Sequence, residues 1–257
     1  MKYEKAQKKD LPALTKLWQA SFGDSEAEIV RFWQLFDAIE VFLARDSAPV
    51  AMLSALPVTF FDTDGEAHQA SYLYAAATAA NYRGRGICTE LMKFAEKTLR
   101  AQGSKLLILC PASEKLFEFY GKMGYKTVFF NREYTANAEG KAKIKPIDAA
   151  AYQNLRQMQL YADFVSYEEH LLALQTGFYR VETEELICCA AAEKHGTELL
   201  IKELLPDDRA AAAALAQHLG CKTVRVRTEG GEKPFGMAKS LAGVPCLEAA
   251  YLGLAFD

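Results

Sequence analysis

A glycine-rich turn between an apolar strand and an amphipathic helix constrains this chain more than any other feature. The turn spans residues 81–88, with the sequence NYRGRGIC, and follows the apolar segment 72–78. Glycines permit positive φ and carry no Cβ, so successive backbone N–H groups can turn toward an anion at a helix N-terminus, where the helix dipole also favours negative charge. The sequence therefore predicts a phosphate-binding loop in which Arg83 and Arg85 add positive charge.

The spacing of this loop excludes two familiar nucleotide sites. A Walker loop needs G-x-x-x-x-G-K-[ST] and a dinucleotide fingerprint needs G-x-G-x-x-G, and neither pattern occurs at residues 81–88. A G-x-G with flanking arginines also occurs in ordinary surface turns, so the loop alone leaves that alternative open. The neighbouring elements must decide between them.

Composition bounds the class of protein. The chain has 257 residues, 51% of them apolar and 25% charged, which is ordinary for one large globular domain or two modest ones. A net charge of -3 argues against nucleic acid or membrane as a partner. No apolar run approaches the ~20 residues of a membrane span, and the charged N-terminal segment is unlike a secretory signal, so we expect a cytoplasmic location.

The cysteine pattern argues against a metal site. The six cysteines include no C-x-x-C pair and lie mostly in apolar runs. We expect reduced core residues, with no metal and no disulfide framework.

Hydrophobic periodicity predicts an α/β chain with a mixed sheet. The predicted elements of the first half are helices at 10–20 and 25–36, strands at 41–45, 50–56, 58–62 and 67–78, a helix from Cys88 to Gly103, a strand at 106–110 and a helix at 113–122. An antiparallel meander is thus followed by a β-α-β unit.

The small, polar segment 136–143 is predicted to be a linker between a domain at 1–135 and a second domain at 144–257. The second half repeats the element order coarsely, with helices near 148–161, 167–176 and 207–219 and strands near 186–192, 198–204 and 222–228. Its counterpart of the loop, 204–209, has no glycine and two carboxylates, so electrostatics oppose a second phosphate site.

Two motifs in this order of elements resemble the GNAT acetyltransferase superfamily. Arg83, Gly86 and Cys88 lie at the defined positions of its R/Q-x-x-G-x-G/A loop, with a cysteine where Gly or Ala is usual. The segment 117–125 looks like the family's aromatic-Tyr-x-x-x-Gly-aromatic pattern, and Ser113 begins its helix where Asn is frequent. The resemblance implies a GNAT-like acyl-CoA-binding fold followed by a degenerate GNAT-like domain.

The resemblance further implies an N-acetyltransferase that moves an acetyl group from acetyl-CoA, as co-substrate, to an amine. Tyr120 lies where the family places a general acid for the leaving thiolate. The residues implied to contact the acetyl-CoA are Ala77, Thr78, Arg83, Gly84, Arg85, Gly86, Ile87, Cys88 and Ser113. No general base is assigned, and Asp24, Glu40, His68 and the terminal Asp257 are positional candidates only.

Several alternatives stay open at this point. A non-catalytic acyl-CoA-binding or sensing protein fits the unusual Cys88 and the lack of a carboxylate at 72–78, and a scaffold that has lost its ligand is a third hypothesis. The acceptor, a small-molecule or peptide amine, is not identified, and a homodimer is neither predicted nor excluded. Aromatic residues on the first two helices fit either an acceptor pocket or plain core packing.

Overall fold

The structure, a computed structural model, describes residues 1–161, 163–175, 177–242, 244 and 249–256, and of Glu232 only the backbone. The helices in the described residues are α1 (Leu11–Phe22), α2 (Glu26–Trp33), α3 (Ile87–Ala101), α4 (Glu114–Gly121), α5 (Ala149–Gln159), α6 (Glu169–Leu172) and α7 (Arg209–His218). The strands are β1 (Lys2–Lys5), β2 (Glu40–Asp46), β3 (Ala48–Phe61), β4 (Ala67–Thr78), β5 (Leu106–Leu109), β6 (Lys126–Asn137), β7 (Lys143–Ile147), β8 (Phe164–Tyr167), β9 (Phe178–Glu182), β10 (Ile187–His195), β11 (Glu198–Leu205) and β12 (Thr223–Ser240).

The chain divides into two compact units that do not follow the predicted domain boundaries. Unit 1 comprises Met1–Thr59, His68–Lys126 and Met237–Cys246, and unit 2 comprises Phe60–Ala67, Thr127–Gly236 and Leu247–Asp257. The sequence predicts continuous domains at 1–135 and 144–257. The observed units are discontinuous because segments far apart in the sequence pair as strands within one unit. Of the predicted linker at 136–143, only 138–142 lie outside β6 and β7.

Unit 1 is built on a mixed sheet in the order β1-β2-β3-β4-β5, completed by Met237–Ser240 of β12. β4 and β5 are parallel, whereas β1 and β2 pair antiparallel, as do β2 and β3. Leu73 of β4 belongs to the core cluster formed with α3, while Tyr74, next along the strand, contacts Trp18 of α1. Because neighbouring side chains of a strand point to opposite faces, α1 and α3 cover opposite faces of this sheet.

One strand prediction was wrong. The segments 50–56 and 58–62 were expected as separate strands, but β3 is a single strand through Pro57. The last residue of β3 that pairs with β2 is Ala55. Pro57 therefore lies beyond this pairing, where the missing proline N–H costs no hydrogen bond to β2.

Unit 2 repeats the element order of unit 1. Its sheet runs β7-β9-β10-β11-β12, and β11 and β12 are parallel. The elements from β1 to β5 in unit 1 and those from β7 to β12 in unit 2 thus follow the same order, β-α-α-β-β-β-α-β, when β8 of unit 2 is set aside. The expected mixed α/β fold with two halves of similar element order is confirmed, although β1, β6, β7, β8, β9 and the length of β12 were not predicted.

No helix in the described part of the chain combines the length and apolar character needed to cross a lipid bilayer.

Candidate active site

The candidate site of unit 1 begins where β4 and β5 stop pairing. The parallel register runs from Ala70 opposite Leu106 to Tyr72 opposite Ile108. β5 then ends at Leu109, whereas β4 continues to Thr78. The last six residues of β4 therefore present an edge that β5 does not cover, and backbone groups on an uncovered edge can pair with a ligand.

Thr78 presents its peptide groups at this open edge. The amide of Ala79 donates to the carbonyl of Val50 on β3 at 2.9 Å. Consecutive peptide groups of an extended chain point to opposite edges, so the amide of Thr78 points away from β3, and that of Ala77 points toward it. Of these two residues, both expected from the sequence, Thr78 has its N–H in position to meet a ligand at the open edge.

The glycine-rich loop supplies a second group of N–H donors. Gly84 and Gly86 have φ of 74° and 75°, as the sequence predicts, and a Cβ at either position would meet nothing within 4 Å. Gly86 is the N-cap of α3 and, as a glycine, has no side chain that could accept a hydrogen bond from the first turn. Among the described residues, no acceptor binds the amides of 84–88. These amides, including those of Arg85, Ile87 and Cys88, are available to an anion.

Side chains next to the loop hold it in place, and the sequence did not indicate them. The hydroxyl of Tyr82 donates to Asp46 at the end of β2 at 2.9 Å, and the guanidinium of Arg85 lies 5.1 Å from the centre of the Tyr82 ring. No carboxylate of the described residues pairs with Arg83 or Arg85. The loop therefore carries two positive charges without acidic partners.

Tyr120 of α4 lies in the core beside the first turn of α3. It shares one hydrophobic cluster with Ile87 and Leu109, and Cys88 packs against the same cluster. Its hydroxyl makes no hydrogen bond within the described residues. Burial, and to a lesser extent the nearby Cys88 thiol, raises the pKa of Tyr120 above its ordinary value, so the phenol stays protonated at neutral pH.

Cys88 is an inert thiol in this setting. Burial raises the pKa of Cys88 to about 11, despite its place in the first turn of a helix. No disulfide bond joins the described cysteines, and Cys188, Cys189 and Cys221 are buried. The sixth, Cys246, lies outside the described residues.

Ser113 is the exposed N-cap of α4, and its side chain makes no capping bond. Nothing in the structure gives it a contact that would test the expected role in binding.

Strand register excludes two of the candidate bases from this edge. Val50 of β3 lies beside the open end of β4, because it accepts a hydrogen bond from the amide of Ala79. Glu40 pairs opposite Ala55, which is five residues, or about 17 Å, from Val50 along β3. His68 lies ten residues, about 30 Å, from Thr78 along β4. Asp24 accepts a hydrogen bond from Trp18 at 2.7 Å, and Asp257 lies outside the described residues.

The aromatic residues on α1 and α2 are mostly core. Trp18, Phe32 and Trp33 are buried, and Trp18 packs against the other two at ring separations of 4.8 and 5.4 Å. Phe22 is exposed and Tyr74 of β4 is half-buried. Packing explains the first three, whereas Phe22, Tyr74 and the half-buried Phe36 have surface to offer an acceptor.

The counterpart of this site in unit 2 is closed by the chain itself. β11 and β12 resume pairing after a bulge, with Leu204 opposite Thr228. At the N-terminus of α7, the Asp208 carboxylate accepts from the amides of Ala210 and Ala211 at 2.8 and 3.2 Å. The Asp208 carboxylate, one of the two that the sequence places in this segment, thus accepts from amides that a phosphate would need.

Comparisons with known proteins identify the family of the first half of the chain. Residues 2–128 match the family model described as an acetyltransferase (GNAT) domain. Residues 2–128 therefore form a domain of the GNAT acetyltransferase family. No curated protein matches the sequence.

Solved structures extend the likeness in fold to the whole chain. A conserved protein of Enterococcus faecalis, described as a probable N-acyltransferase, is 18% identical with a TM-score of 0.74, and the match covers 96% of this chain and 72% of that one. A GCN5-related N-acetyltransferase from Kribbella flavida is 15% identical with a TM-score of 0.71, covering 93% and 71%. A putative acetyltransferase from Pyrococcus horikoshii is 12% identical with a TM-score of 0.67, covering 99% and 94%.

Proposed function

We propose that unit 1 binds acetyl-CoA and transfers its acetyl group to the nitrogen of an amine, and that Tyr120 assists departure of the thiolate. The observation that carries the proposal is the set of unpaired amides at 84–88 beside the open edge of β4. Membership in the GNAT acetyltransferase family supports acyl transfer as the reaction class. The cytoplasmic location and the independence from metal stay predictions.

The two groups of donors fit the two ends of an acyl-CoA. The amides of the loop, with the helix dipole and the charge of Arg85, suit a diphosphate. The amide of Thr78 suits a carbonyl oxygen at the open edge, where negative charge develops as the amine attacks. The ligand would thus supply hydrogen-bond acceptors to amides at the end of β4 and at the N-terminus of α3 that have no partner within the described residues.

The proposed reaction makes one bond and breaks another. The amine nitrogen bonds to the thioester carbonyl carbon, the carbon–sulfur bond breaks, and the sulfur leaves with its electron pair. Tyr120, a neutral phenol, donates a hydrogen bond to this sulfur, while the nitrogen loses its proton to solvent, so that free CoA and an amide result. The amine must first be deprotonated, which costs about 4 to 5 kcal/mol at neutral pH.

Calorimetry with CoA and acetyl-CoA tests the first half of the proposal, because binding requires no knowledge of the acceptor. Steady release of the CoA thiol with a panel of polyamines, amino acids, aminoglycosides and peptide amines tests the second half. Binding without turnover across the panel would favour the alternative of a non-catalytic acyl-CoA sensor. Absence of binding would contradict both functions.

Tyr120→Phe tests the role of the hydroxyl. The ring and its packing are retained, so we expect affinity for CoA to change little and kcat to fall. Tyr125→Phe is a matched control, since it removes another hydroxyl from the same hydrophobic cluster and keeps the ring that packs against Tyr120. An unchanged kcat in the Tyr120→Phe variant would refute the assignment.

A further inference from the structure

We propose that Arg83 is a positioning residue that ties the glycine-rich loop to the end of β4, and that Arg85, not Arg83, supplies the charge that attracts the diphosphate. This inference rests on the proposed function of unit 1. From the sequence, Arg83 and Arg85 were expected to contribute positive charge in the same way, and the inference gives Arg83 a different role. Their positions in the structure differ.

The side chain of Arg83 is engaged with the backbone. Its Nε donates to the carbonyl oxygen of Thr78 at 2.9 Å. The N–H of the same peptide group, which belongs to Ala79, donates to Val50 at 2.9 Å. This peptide group is therefore held from both edges, by β3 on one side and by the loop on the other.

The path of the chain makes this contact possible. A tight turn follows β4, with the amide of Tyr82 donating to Ala79 at 2.8 Å. Arg83 itself is extended, with φ -65° and ψ 156°, and directs its side chain back to the strand end. The five residues from Thr78 to Tyr82 thus form a closed connection between the open edge of β4 and the loop amides.

The consequence is a fixed spacing between the two groups of donors. The amide of Thr78 lies next to the clamped carbonyl, and the loop amides begin immediately after Arg83. A ligand that forms hydrogen bonds with both groups of donors must match the distance between them. Because these donors are already held in place, less conformational entropy is lost when the ligand binds. The Nε contact therefore contributes to affinity through geometry.

Arg85 has a different environment. Its guanidinium lies over the ring of Tyr82, and no hydrogen bond to a carbonyl or carboxylate holds it within the described residues. Its charge is exposed and its N–H groups remain available. Arg85 accordingly fits the role of electrostatic attraction, which salt screens.

Two substitutions at residue 83 separate donor from charge. In glutamine, Nε2 is bonded to Cδ as Nε is in arginine, so Arg83→Gln keeps an N–H donor at the same position and removes the charge. Arg83→Lys keeps the charge and has a methylene at that position. Arg85→Gln is the matched control for loss of charge alone.

The experiment measures the Kd of acetyl-CoA by calorimetry for these three variants at low and moderate ionic strength. We expect Arg83→Gln to bind within about threefold of the unmodified chain and Arg83→Lys to bind about tenfold more weakly, the equivalent of one net hydrogen bond. We expect Arg85→Gln to bind more weakly at low salt and to lose more of the dependence on salt than Arg83→Gln does. Because Arg83 is exposed, thermal unfolding should show all variants folded.

The reverse ranking would overturn the inference: Arg83→Lys binding like the unmodified chain and Arg83→Gln losing affinity and salt dependence. Equal losses of affinity in Arg83→Gln and Arg83→Lys would also overturn the inference, since neither the N–H donor alone nor the charge alone would then be enough for binding. If the unmodified chain binds neither CoA nor acetyl-CoA, the proposed function itself has failed, which is a distinct result.

Discussion

A carboxylate placed at the N-terminus of α3 should weaken anion binding strongly, since Asp208 accepts hydrogen bonds from the equivalent amides of α7 in unit 2. Gly86→Asp is the perturbation, and Gly86→Asn is its control, because both side chains have similar size and both residues tolerate positive φ better than most. A Cβ at Gly86 meets no atom within 4 Å, so neither variant creates a clash. The backbone strain at φ 75° is shared by the two.

The expected difference comes from charge. Two like unit charges about 5 Å apart at an effective dielectric of about 20 repel by about 3 kcal/mol. A single carboxylate beside one phosphate thus weakens binding about a hundredfold relative to the asparagine variant. The aspartate can also accept hydrogen bonds from the amides of α3, as Asp208 does from Ala210 and Ala211, which removes donors from the ligand.

The assay is calorimetric titration of CoA into each variant, with thermal unfolding to compare their stability. We expect the aspartate variant to be at least as stable as the asparagine variant, since a carboxylate at a helix N-terminus is favourable. Equal Kd values for the two variants would refute the reasoning, because the anion would then bind away from these amides.

The remaining predictions concern stability, titration and stoichiometry. The fully buried ion pair of Arg156 and Glu203 in unit 2 predicts that Glu203→Gln lowers the free energy of unfolding by about 3 to 5 kcal/mol in chemical denaturation, because the guanidinium of Arg156 then stays buried without its carboxylate. A loss below about 1 kcal/mol would contradict this. Burial, followed by the charges of Asp207 and Glu203, raises the pKa of Glu229. Its ionised form therefore disfavours folding above the unfolded pKa of about 4.3, and Glu229→Gln should raise the unfolding temperature at pH 7 more than in acid. The raised pKa of Tyr120 predicts no loss of kcat through its ionisation up to about pH 10 in a pH–rate profile, and a decline removed by Tyr120→Phe would contradict it. CoA should bind with a stoichiometry of one per chain, and two sites by calorimetry would show that unit 2 also binds.

The site loop could be predicted because its determinants are local. Positive φ at Gly84 and Gly86 follows from residue type, and the amphipathic pattern after them marks the start of α3. The role of Arg83 could not be predicted, because a charge next to glycines indicates a phosphate contact as readily as a bond to a carbonyl five residues earlier. Asp46 was missed for a related reason: its contact with Tyr82 joins residues 36 positions apart.

The division of the chain into units depends on pairing that no local pattern encodes. Met237–Ser240 pairs with β5, so a segment near the end of the chain belongs to unit 1. The polar composition of 136–143 indicated a boundary, yet strands continue into both of its ends. Periodicity identifies strands, and it does not identify their partners.

The two units share an order of elements but differ in stabilising hydrogen bonds at the position of the candidate site. In unit 1, the N-terminus of α3 lacks a side-chain cap, and residues 73–78 of β4 extend beyond the pairing with β5. In unit 2, Asp208 caps α7 and Thr228 pairs opposite Leu204. A missing cap alone costs about 1 kcal/mol. In addition, the peptide groups of 73–78 that point to the uncovered edge lack a strand partner there. An acyl-CoA that supplies acceptors to the loop amides and to Thr78 recovers these contributions on binding, so we expect it to stabilise unit 1 selectively.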